Sequence, residues 1–447
     1  MGSNSPKTGF NLLQMLGDLI LLNLAMLLAF LLRFHGSIPQ ENFQPYLTFL
    51  PVISLVALLL FNFYGLYYSA GKPWSEIFAS LIVSIALLTL FTIALSYMFQ
   101  TYTFPRSVFF IAAFVQITVL GIWRWLLLGL EEKLTPARHV ILIGPATEME
   151  LMAGKLSKKC KLLGVISEHK ERENTLNVLG TYAEAVELCH LHQPDTIYMS
   201  GAVPEAVKDK ITRAALSKEW QLFVIPNFYE IMLSQARLDQ LQDTPVFKIG
   251  LENHPGKEQI KRLMDIAIAV LGLILTSPIF LAAAVAVKMS SSGPVFYRQK
   301  RVGKQNKCFV LLKFRTMIDG AEKKTGPVLA AENDARITPV GRFLRASRID
   351  ELPQLWNVLK GDMSIVGPRP ERPYFVDQFA KEIPGYTYRH WIKAGVTGLA
   401  QIAGKYSTSP EDKLRYDLLY AKGASPLFDL QIMLQTIKVL LMREKAQ

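Results

Sequence analysis

Two adjacent carboxylates, Asp350 and Glu351, are the residues of this 447-residue chain best suited to chemistry. At the start of a helix, such a pair could simply complement the helix dipole. Two ionised neighbours repel each other, however, so keeping both ionised calls for a cation such as Mg²⁺ or for nearby arginines. Arg345 and Arg348 lie within one turn upstream, and Arg369 is flanked by two prolines that fix the local backbone. A guanidinium held in this way suits bidentate phosphate recognition, so the pattern indicates phosphate chemistry.

The sequence after the acidic pair predicts the helix that positions it. Leu352, Leu355, Trp356 and Leu359 recur at the spacing of one apolar helix face. Gly361 provides a C-terminal stop. We therefore expect the two carboxylates at the N-terminus of a short helix.

A basic segment with interleaved aromatic residues lies upstream of the pair. Its cations include Arg298, Arg301, Lys313 and Arg315. This composition is compatible with a nucleic-acid patch, a solvated face, or a site for a diphosphate and a lipid phosphate at a membrane. The apolar segment next to it favours the last interpretation.

Composition and charge narrow the class of protein. Half of the residues are hydrophobic, 19% are charged, and mean hydropathy is +0.23. A disordered chain is thereby excluded and a purely soluble one disfavoured. The net charge of +12 arises in residues 255–447, which hold 30 of the 49 Lys and Arg but 17 of the 37 Asp and Glu. The three cysteines, Cys160, Cys189 and Cys308, are too few and too scattered for a disulfide framework or a zinc site.

Residues 1–135 contain four apolar stretches, each long enough to span a bilayer. They are Leu12–Leu32, Tyr46–Leu66, Ile77–Met98 and Val108–Leu130. The flanking Lys and Arg residues favour a cytoplasmic N-terminus, and an even number of spans then places the remainder of the chain in the cytoplasm too. We predict a four-helix transmembrane bundle.

Residues 136–250 alternate short apolar runs with helical segments. The predicted strands are His139–Ile143, Leu162–Ile166, Thr196–Met199 and Leu222–Ile225. This rhythm is typical of a doubly wound, Rossmann-like α/β domain. Its first turn, Gly144 to Glu148, has one glycine and acidic residues where a dinucleotide-binding domain has G-x-G-x-x-G. We therefore expect regulation or dimerisation rather than dinucleotide binding, followed by a linker over Thr244–Lys257.

The next apolar segment, Ile266–Val287, is interrupted by Ser277 and Pro278. A fifth full crossing would place the basic module outside the cell. Proline favours a kink, and a neighbouring serine can satisfy freed backbone groups. We therefore predict a re-entrant membrane helix over residues 266–288 that bends at Ser277-Pro278.

From about Ile260 onward, the chain resembles the bacterial sugar transferase family, the polyprenyl-phosphate phosphoglycosyl transferases. The matching motifs are Ser277-Pro278, Gly293–Gly303, Lys313–Met317, Asp350–Gly361, Gly367–Pro370 and Gly395–Gln401. One departure is Ala394, where the family commonly has proline. The four spans and the middle domain resemble the large members of the family, which use galactose or glucose.

The resemblance implies a reaction and roles for these residues. A sugar-1-phosphate would pass from a UDP-sugar to undecaprenyl phosphate with release of UMP, the initiating step of exopolysaccharide, capsule or O-antigen (lipopolysaccharide) synthesis. Asp350 would be the nucleophile and form a covalent phosphosugar intermediate. Mg²⁺ would be held by Asp350 with help from Glu351. The substrate-binding candidates are Arg345, Arg369, Lys313, Arg315, Arg298, Arg301 and Asp417.

The expected protein is thus an α plus α/β membrane protein in three parts. Residues 1–135 form the four-helix transmembrane bundle, residues 136–250 the Rossmann-like middle domain, and residues 255–447 the α/β catalytic domain with its re-entrant helix. We expect it in the bacterial inner membrane, with the catalytic domain on the cytoplasmic face. Its expected partners are a UDP-sugar, undecaprenyl phosphate, membrane lipid and a second copy in a homodimer, and no nucleic acid.

Two other classes of protein fit parts of the sequence. A membrane-anchored nucleotide-sugar dehydratase would need a glycine-rich turn and a Tyr-x-x-x-Lys pair in the middle domain, whereas that spacing occurs only at Tyr68 and Lys72, between predicted spans. The other class, a membrane scaffold or regulator of polysaccharide assembly, would not explain the arrangement of Asp350, Glu351 and Arg369.

Overall fold

The structure is a computed structural model, and its contacts divide the chain into two compact units. It describes residues 7–68, 72–99, 105–134, 136–156, 159–169, 176–234, 236–250, 255–318, 320, 334, 336–405 and 408–442. The first unit contains the N-terminal helices. The second contains most of the middle sheet and the chain from Thr196 onward.

The first unit is built from four long helices. These are α1 (Lys7–Arg33), α2 (Gln40–Phe63), α3 (Trp74–Met98) and α4 (Arg106–Leu134). Phe30, Phe61, Ile85 and Leu120 are buried in their common core. All four helices are long and apolar enough to cross a membrane. Large apolar side chains such as Phe114 remain exposed, as lipid contact requires. The predicted helical segments are confirmed.

The middle part is a five-stranded sheet with the strand order β3-β2-β1-β4-β5. Its strands are β1 (Arg138–Ile143), β2 (Cys160–Ser167), β3 (Val178–Thr181), β4 (Thr196–Ser200) and β5 (Gln221–Ile225). The helices are α5 (Ala146–Ala153), α6 (Ala185–His192), α7 (Glu205–Lys218) and α8 (Phe228–Ser234). Strands β2 and β3 pair in parallel, as do β4 and β5. The doubly wound prediction is confirmed, while β3 was missed because four residues with a glycine give no clear pattern.

The predicted linker over Thr244–Lys257 is wrong in its first part. Strands β6 (Arg237–Leu241) and β7 (Thr244–Lys248) form an antiparallel hairpin in which Leu238 pairs with Phe247. Proline is tolerated there because each strand of a two-stranded ribbon is an edge strand.

The C-terminal part begins with a 36-residue helix, α9 (Pro255–Ser290). It continues through β8 (Phe296–Val302), β9 (Cys308–Phe314), α10 (Pro339–Ala346), α11 (Gln354–Lys360), β10 (Ser364–Val366), α12 (Pro373–Glu382), β11 (Gly395–Thr397), α13 (Leu399–Ala403), α14 (Pro410–Gly423) and α15 (Pro426–Leu440). Strands β8 and β9 form an antiparallel hairpin, and β10 pairs with β11 in parallel. Ala269, Leu311, Val358 and Tyr420 share one core, so α9 is part of this domain.

Helix α9 is apolar enough to enter a membrane, and its helical structure continues through Pro278. The Ser277 hydroxyl donates to the carbonyl of Ile274 at 2.8 Å, and the Thr276 hydroxyl donates to that of Gly272 at 2.7 Å. These bonds engage carbonyls in the turn before the proline. The expected interruption at Ser277-Pro278 is therefore not a gap in the helix.

Candidate active site

The acidic pair lies on a tight 3₁₀ turn, Ile349–Glu351, between α10 and α11. Arg348, which precedes the turn, has a φ of +60°, a left-handed conformation that is costly for a residue with a side chain. Helix α11 begins at Gln354, so the acidic pair lies on the turn before the helix and not at its N-terminus as expected, while Gly361 ends the helix with a φ of +93° as expected. The predicted single apolar face is divided, since Leu355 packs on the core whereas Trp356 is 59% exposed.

Two cations from separate elements hold the Glu351 carboxylate. Lys313 on β9 donates from Nζ to Oε1 at 2.9 Å, and Arg369 from the loop after β10 donates from Nη2 to the same oxygen at 2.7 Å. Burial by itself would raise the pKa of Glu351, but Arg369 and Lys313 hold it well below its usual value. Glu351 is therefore the carboxylate of the pair that anchors two cations.

Asp350 lies in a different electrostatic environment although it is the neighbouring residue. It is buried, and burial raises its pKa, with a further rise from the Glu351 carboxylate. Lys313, Arg369 and Arg345 act in the opposite direction. The pair thus separates into one carboxylate engaged by cations and one whose charge depends on what binds beside it.

Close backbone packing fixes the loop that carries Arg369. A Cβ atom on Gly367 would lie 2.3 Å from the carbonyl oxygen of Lys393. A Cβ on Gly395 would lie 2.1 Å from the Gly367 nitrogen, and one on Gly398 would lie 2.2 Å from the Gly367 oxygen. These positions accept only glycine, which explains the glycines in the Gly367–Pro370 and Gly395–Gln401 motifs.

Two further predicted cations lie near this centre. Arg345, in the last turn of α10, donates from Nε to the Thr316 hydroxyl at 2.9 Å and acts electrostatically on Asp350. Arg301 donates from Nη1 to the carbonyl of Pro370 at 3.0 Å and thus supports the Arg369 loop. Arg298 is exposed on β8.

Arg315 and Asp417 make contacts that serve the fold. Arg315 is buried, and its guanidinium donates to the carbonyls of Ser291 and Ser292, both at 2.8 Å, just beyond α9. Asp417 on α14 is paired with Arg389 at 2.7 Å, with both side chains buried. Burial raises the pKa of Asp417 to about 6 against the opposing effect of Arg389. These contacts do not bring Arg315 or Asp417 to the acidic pair.

Sequence reasoning missed a polar cluster at the start of α9 that holds the strand leading to Arg369. Lys261 donates from Nζ to the carbonyl of Val366 at 3.1 Å and to Asp429 at 2.6 Å. Asp265 accepts from the Ile365 nitrogen at 2.9 Å. The available signal was the spacing of Lys261 and Asp265, which are four residues apart beside an apolar segment. Charged side chains buried on one helix face need polar partners.

The described residues contain no cluster of three or more His, Cys, Asp or Glu that could enclose a metal ion. Mg²⁺ commonly binds one or two carboxylates together with water and substrate phosphate oxygens, which needs no protein cage. Glu351 is engaged by two cations, so Asp350 is the carboxylate of the pair that fits such a role.

The described residues thus combine a buried acidic pair, cations of the kind that bind phosphate and a helix apolar enough to enter a membrane. Two family models match the chain: that of the bacterial sugar transferases over residues 256–443 and that of a CoA-binding domain over residues 62–217.

Named relatives extend this match. A UDP-N-acetylgalactosamine-undecaprenyl-phosphate N-acetylgalactosaminephosphotransferase of Aeromonas hydrophila is 40% identical over 272 residues, covering 57% of this chain and 63% of the relative. A UDP-glucose:undecaprenyl-phosphate glucose-1-phosphate transferase of Klebsiella pneumoniae is 38% identical over 251 residues, or 54% of each chain. An enzyme of the same name from Caulobacter vibrioides is 42% identical over 193 residues, covering 42% of this chain and 71% of the relative.

The chain belongs to the bacterial sugar transferase family. It spans less than two thirds of the Aeromonas and Klebsiella relatives.

Proposed function

We propose that this protein transfers a sugar-1-phosphate from a UDP-sugar to undecaprenyl phosphate, releases UMP, and thereby initiates a bacterial polysaccharide. The named relatives act on undecaprenyl phosphate with UDP-N-acetylgalactosamine or UDP-glucose. The observation that carries the proposal is the buried Asp350 carboxylate, which lies in the field of Lys313, Arg369 and Arg345.

The reaction proceeds in two displacements at one phosphorus atom. A carboxylate oxygen of Asp350 attacks the sugar-bearing β-phosphorus of the donor, and the bond from that phosphorus to the bridging oxygen breaks as UMP leaves. An oxygen of undecaprenyl phosphate then attacks the same phosphorus. The acyl-phosphate bond breaks, which restores the Asp350 carboxylate and yields a lipid-linked diphosphosugar.

The charged residues around Asp350 position the donor and stabilise the charge that develops during transfer. Glu351 fixes Lys313 and Arg369, whose cationic groups then face the anionic donor and the charge that develops on transfer. Arg345 supplies a further positive charge close to Asp350.

Mg²⁺, held by the Asp350 carboxylate and donor phosphate oxygens, would neutralise the diphosphate and favour the ionised form of Asp350. A nucleophilic carboxyl must be ionised, whereas burial raises the pKa of Asp350 and favours its neutral form. A neighbouring cation would favour the ionised form.

The packing of α9 supports a re-entrant arrangement. Ala269, in the first half of the helix, shares a core with Leu311. Val287, near its end, packs with Phe314 and Leu344. Since β9 carries both Leu311 and Phe314, the two halves of α9 contact one small hairpin. A full crossing would separate them by the thickness of the bilayer.

We therefore propose that α9 enters the cytoplasmic leaflet of the inner membrane and returns, which keeps the active site on the cytoplasmic face. We also propose that two copies of the chain form a homodimer.

The test is a turnover assay on the full chain in nanodiscs with a panel of UDP-sugars. We expect UMP release that depends on both undecaprenyl phosphate and Mg²⁺, with one sugar preferred. Turnover of the nucleotide sugar without UMP release would instead indicate a dehydratase. Absence of turnover with every donor would leave a scaffold as the function and refute the proposal.

A further inference from the structure

Arg389 is a buried cation that the reaction outlined above does not use. It lies in the 3₁₀ turn Tyr386–Trp391 and is 3% exposed. Its Nη2 atom donates to the backbone carbonyl of Arg369 at 3.1 Å. A guanidinium buried to this degree is costly unless its charge is balanced and its donors are used.

Two neighbours fix the orientation of this guanidinium. Asp417 on α14 lies 2.7 Å from Nη2 and supplies the opposite charge. Nη1 donates to the hydroxyl of Tyr386 in the same 3₁₀ turn. Nε has no hydrogen-bond partner among the described residues, so the contacts of Nη1 and Nη2 orient the guanidinium towards one peptide oxygen.

That peptide oxygen belongs to a short run of fixed carbonyls. The Pro368 carbonyl accepts from the Gly395 nitrogen at 2.9 Å. The Arg369 carbonyl accepts from Arg389, and the Pro370 carbonyl accepts from Arg301 at 3.0 Å. Three successive carbonyls are thus held from three different elements. The side chain that leaves this fixed backbone is the Arg369 guanidinium, which contacts Glu351.

We propose that Arg389 is a positioning residue which, balanced by Asp417, sets the placement of the Arg369 guanidinium beside Glu351 and the transferring phosphate. This inference rests on the proposed function. It assigns Asp417 an indirect part in the site instead of substrate contact. Because a displacement of about 1 Å at a reacting centre can cost roughly 100-fold in rate, a distant support of this kind should affect kcat more than KM.

The test is a double-mutant cycle between the two arginines, measured as UMP release by the full chain in nanodiscs. Arg389→Lys retains a charge for Asp417 but loses the planar fork, so the protein should fold. We expect kcat to fall by about 10-fold or more, with KM within about 3-fold. In an Arg369→Ala background, Arg389→Lys should cause almost no further loss.

A second readout is independent of turnover. Arg369 is 39% exposed and therefore accessible to phenylglyoxal. Peptide mass spectrometry should show its modification rate rising several-fold in Arg389→Lys and unchanged in a control, Arg213→Lys, at an exposed ion pair on α7. If Arg389→Lys does not fold, the variant Tyr386→Phe takes its place in both measurements, because it removes one hydrogen-bond partner of Arg389.

The outcomes separate the two proposals. A wild-type protein that releases no UMP refutes the proposed function, and the modification rate alone then decides the role of Arg389. Full additivity in the cycle, or equal modification of Arg369 in wild type and variant, overturns the positioning role.

Discussion

Replacing Glu351 by Gln should destabilise the catalytic part of the protein as well as inactivate it. The substitution keeps the shape of the side chain but removes the charge that pairs with Lys313 at 2.9 Å and Arg369 at 2.7 Å. Lys313 is 18% exposed, so losing its partner leaves a largely buried cation. Removing one member of a buried pair costs about 3–5 kcal/mol. Because Arg369 is 39% exposed, we expect the lower limit, about 3 kcal/mol.

The matched control is Glu258→Gln, which breaks an exposed pair with Lys304 at 3.2 Å. Such a pair contributes less than about 1 kcal/mol. For a domain of this size, about 3 kcal/mol corresponds to a fall in Tm of roughly 6–12 °C, and the Tm of the control should fall by roughly 4 °C or less. Thermal unfolding in nanodiscs, followed with UMP release on the same samples, measures both effects. Equal Tm values for the two variants would refute the assignment of Glu351 as the anchor of two cations.

Two further predictions concern topology and pH. If α9 is re-entrant, a membrane-impermeant maleimide added to intact cells should label neither the exposed native Cys308 nor a cysteine placed at Gln259. Both cysteines should be labelled once the cells are permeabilised. Labelling of Cys308 from outside intact cells would contradict re-entry. Burial, together with the charge of Arg389, lowers the pKa of His390 from 6.5 to about 4. The unfolded chain therefore binds a proton at this histidine more readily than the folded protein, and the fold loses stability as pH falls from 6.5 towards 4. By pH 5 the loss is about 2 kcal/mol, and His390→Asn should flatten the fall in Tm between pH 7 and 5; an equally steep fall in the variant would exclude His390 as its source.

The sequence predicted the parts of the site that are local along the chain. Asp350 and Glu351 are adjacent, Gly361 ends the helix after them, and Arg369 is fixed between prolines. Each of these features depends on a few neighbouring residues, and the structure has the predicted stop at Gly361. Helix α11 starts after the first residue of the apolar periodicity because Leu352 ends the 3₁₀ turn that carries the acidic pair and Pro353 caps the helix.

The tertiary contacts could not be predicted in the same way. The Lys313–Glu351 pair joins residues 38 positions apart, and the bond from Lys261 to Val366 joins residues 105 apart. No local pattern specifies which cation reaches which acceptor. Arg315 and Arg301 illustrate the same limit, since a basic run near a membrane segment predicts phosphate contacts, whereas their guanidinium groups donate to backbone carbonyls.

Covalent labelling of the protein by its donor tests the central claim most directly. Wild-type protein incubated with a UDP-sugar labelled in the sugar, with Mg²⁺ and without lipid acceptor, should acquire label and release UMP in a matching single-turnover amount. Mass spectrometry should place the phosphosugar on Asp350, and Asp350→Asn should remain unlabelled while staying folded. Unlabelled wild-type protein with no burst of UMP, in a preparation that turns over when undecaprenyl phosphate is added, would mean direct attack by the lipid phosphate and would contradict Asp350 as the nucleophile.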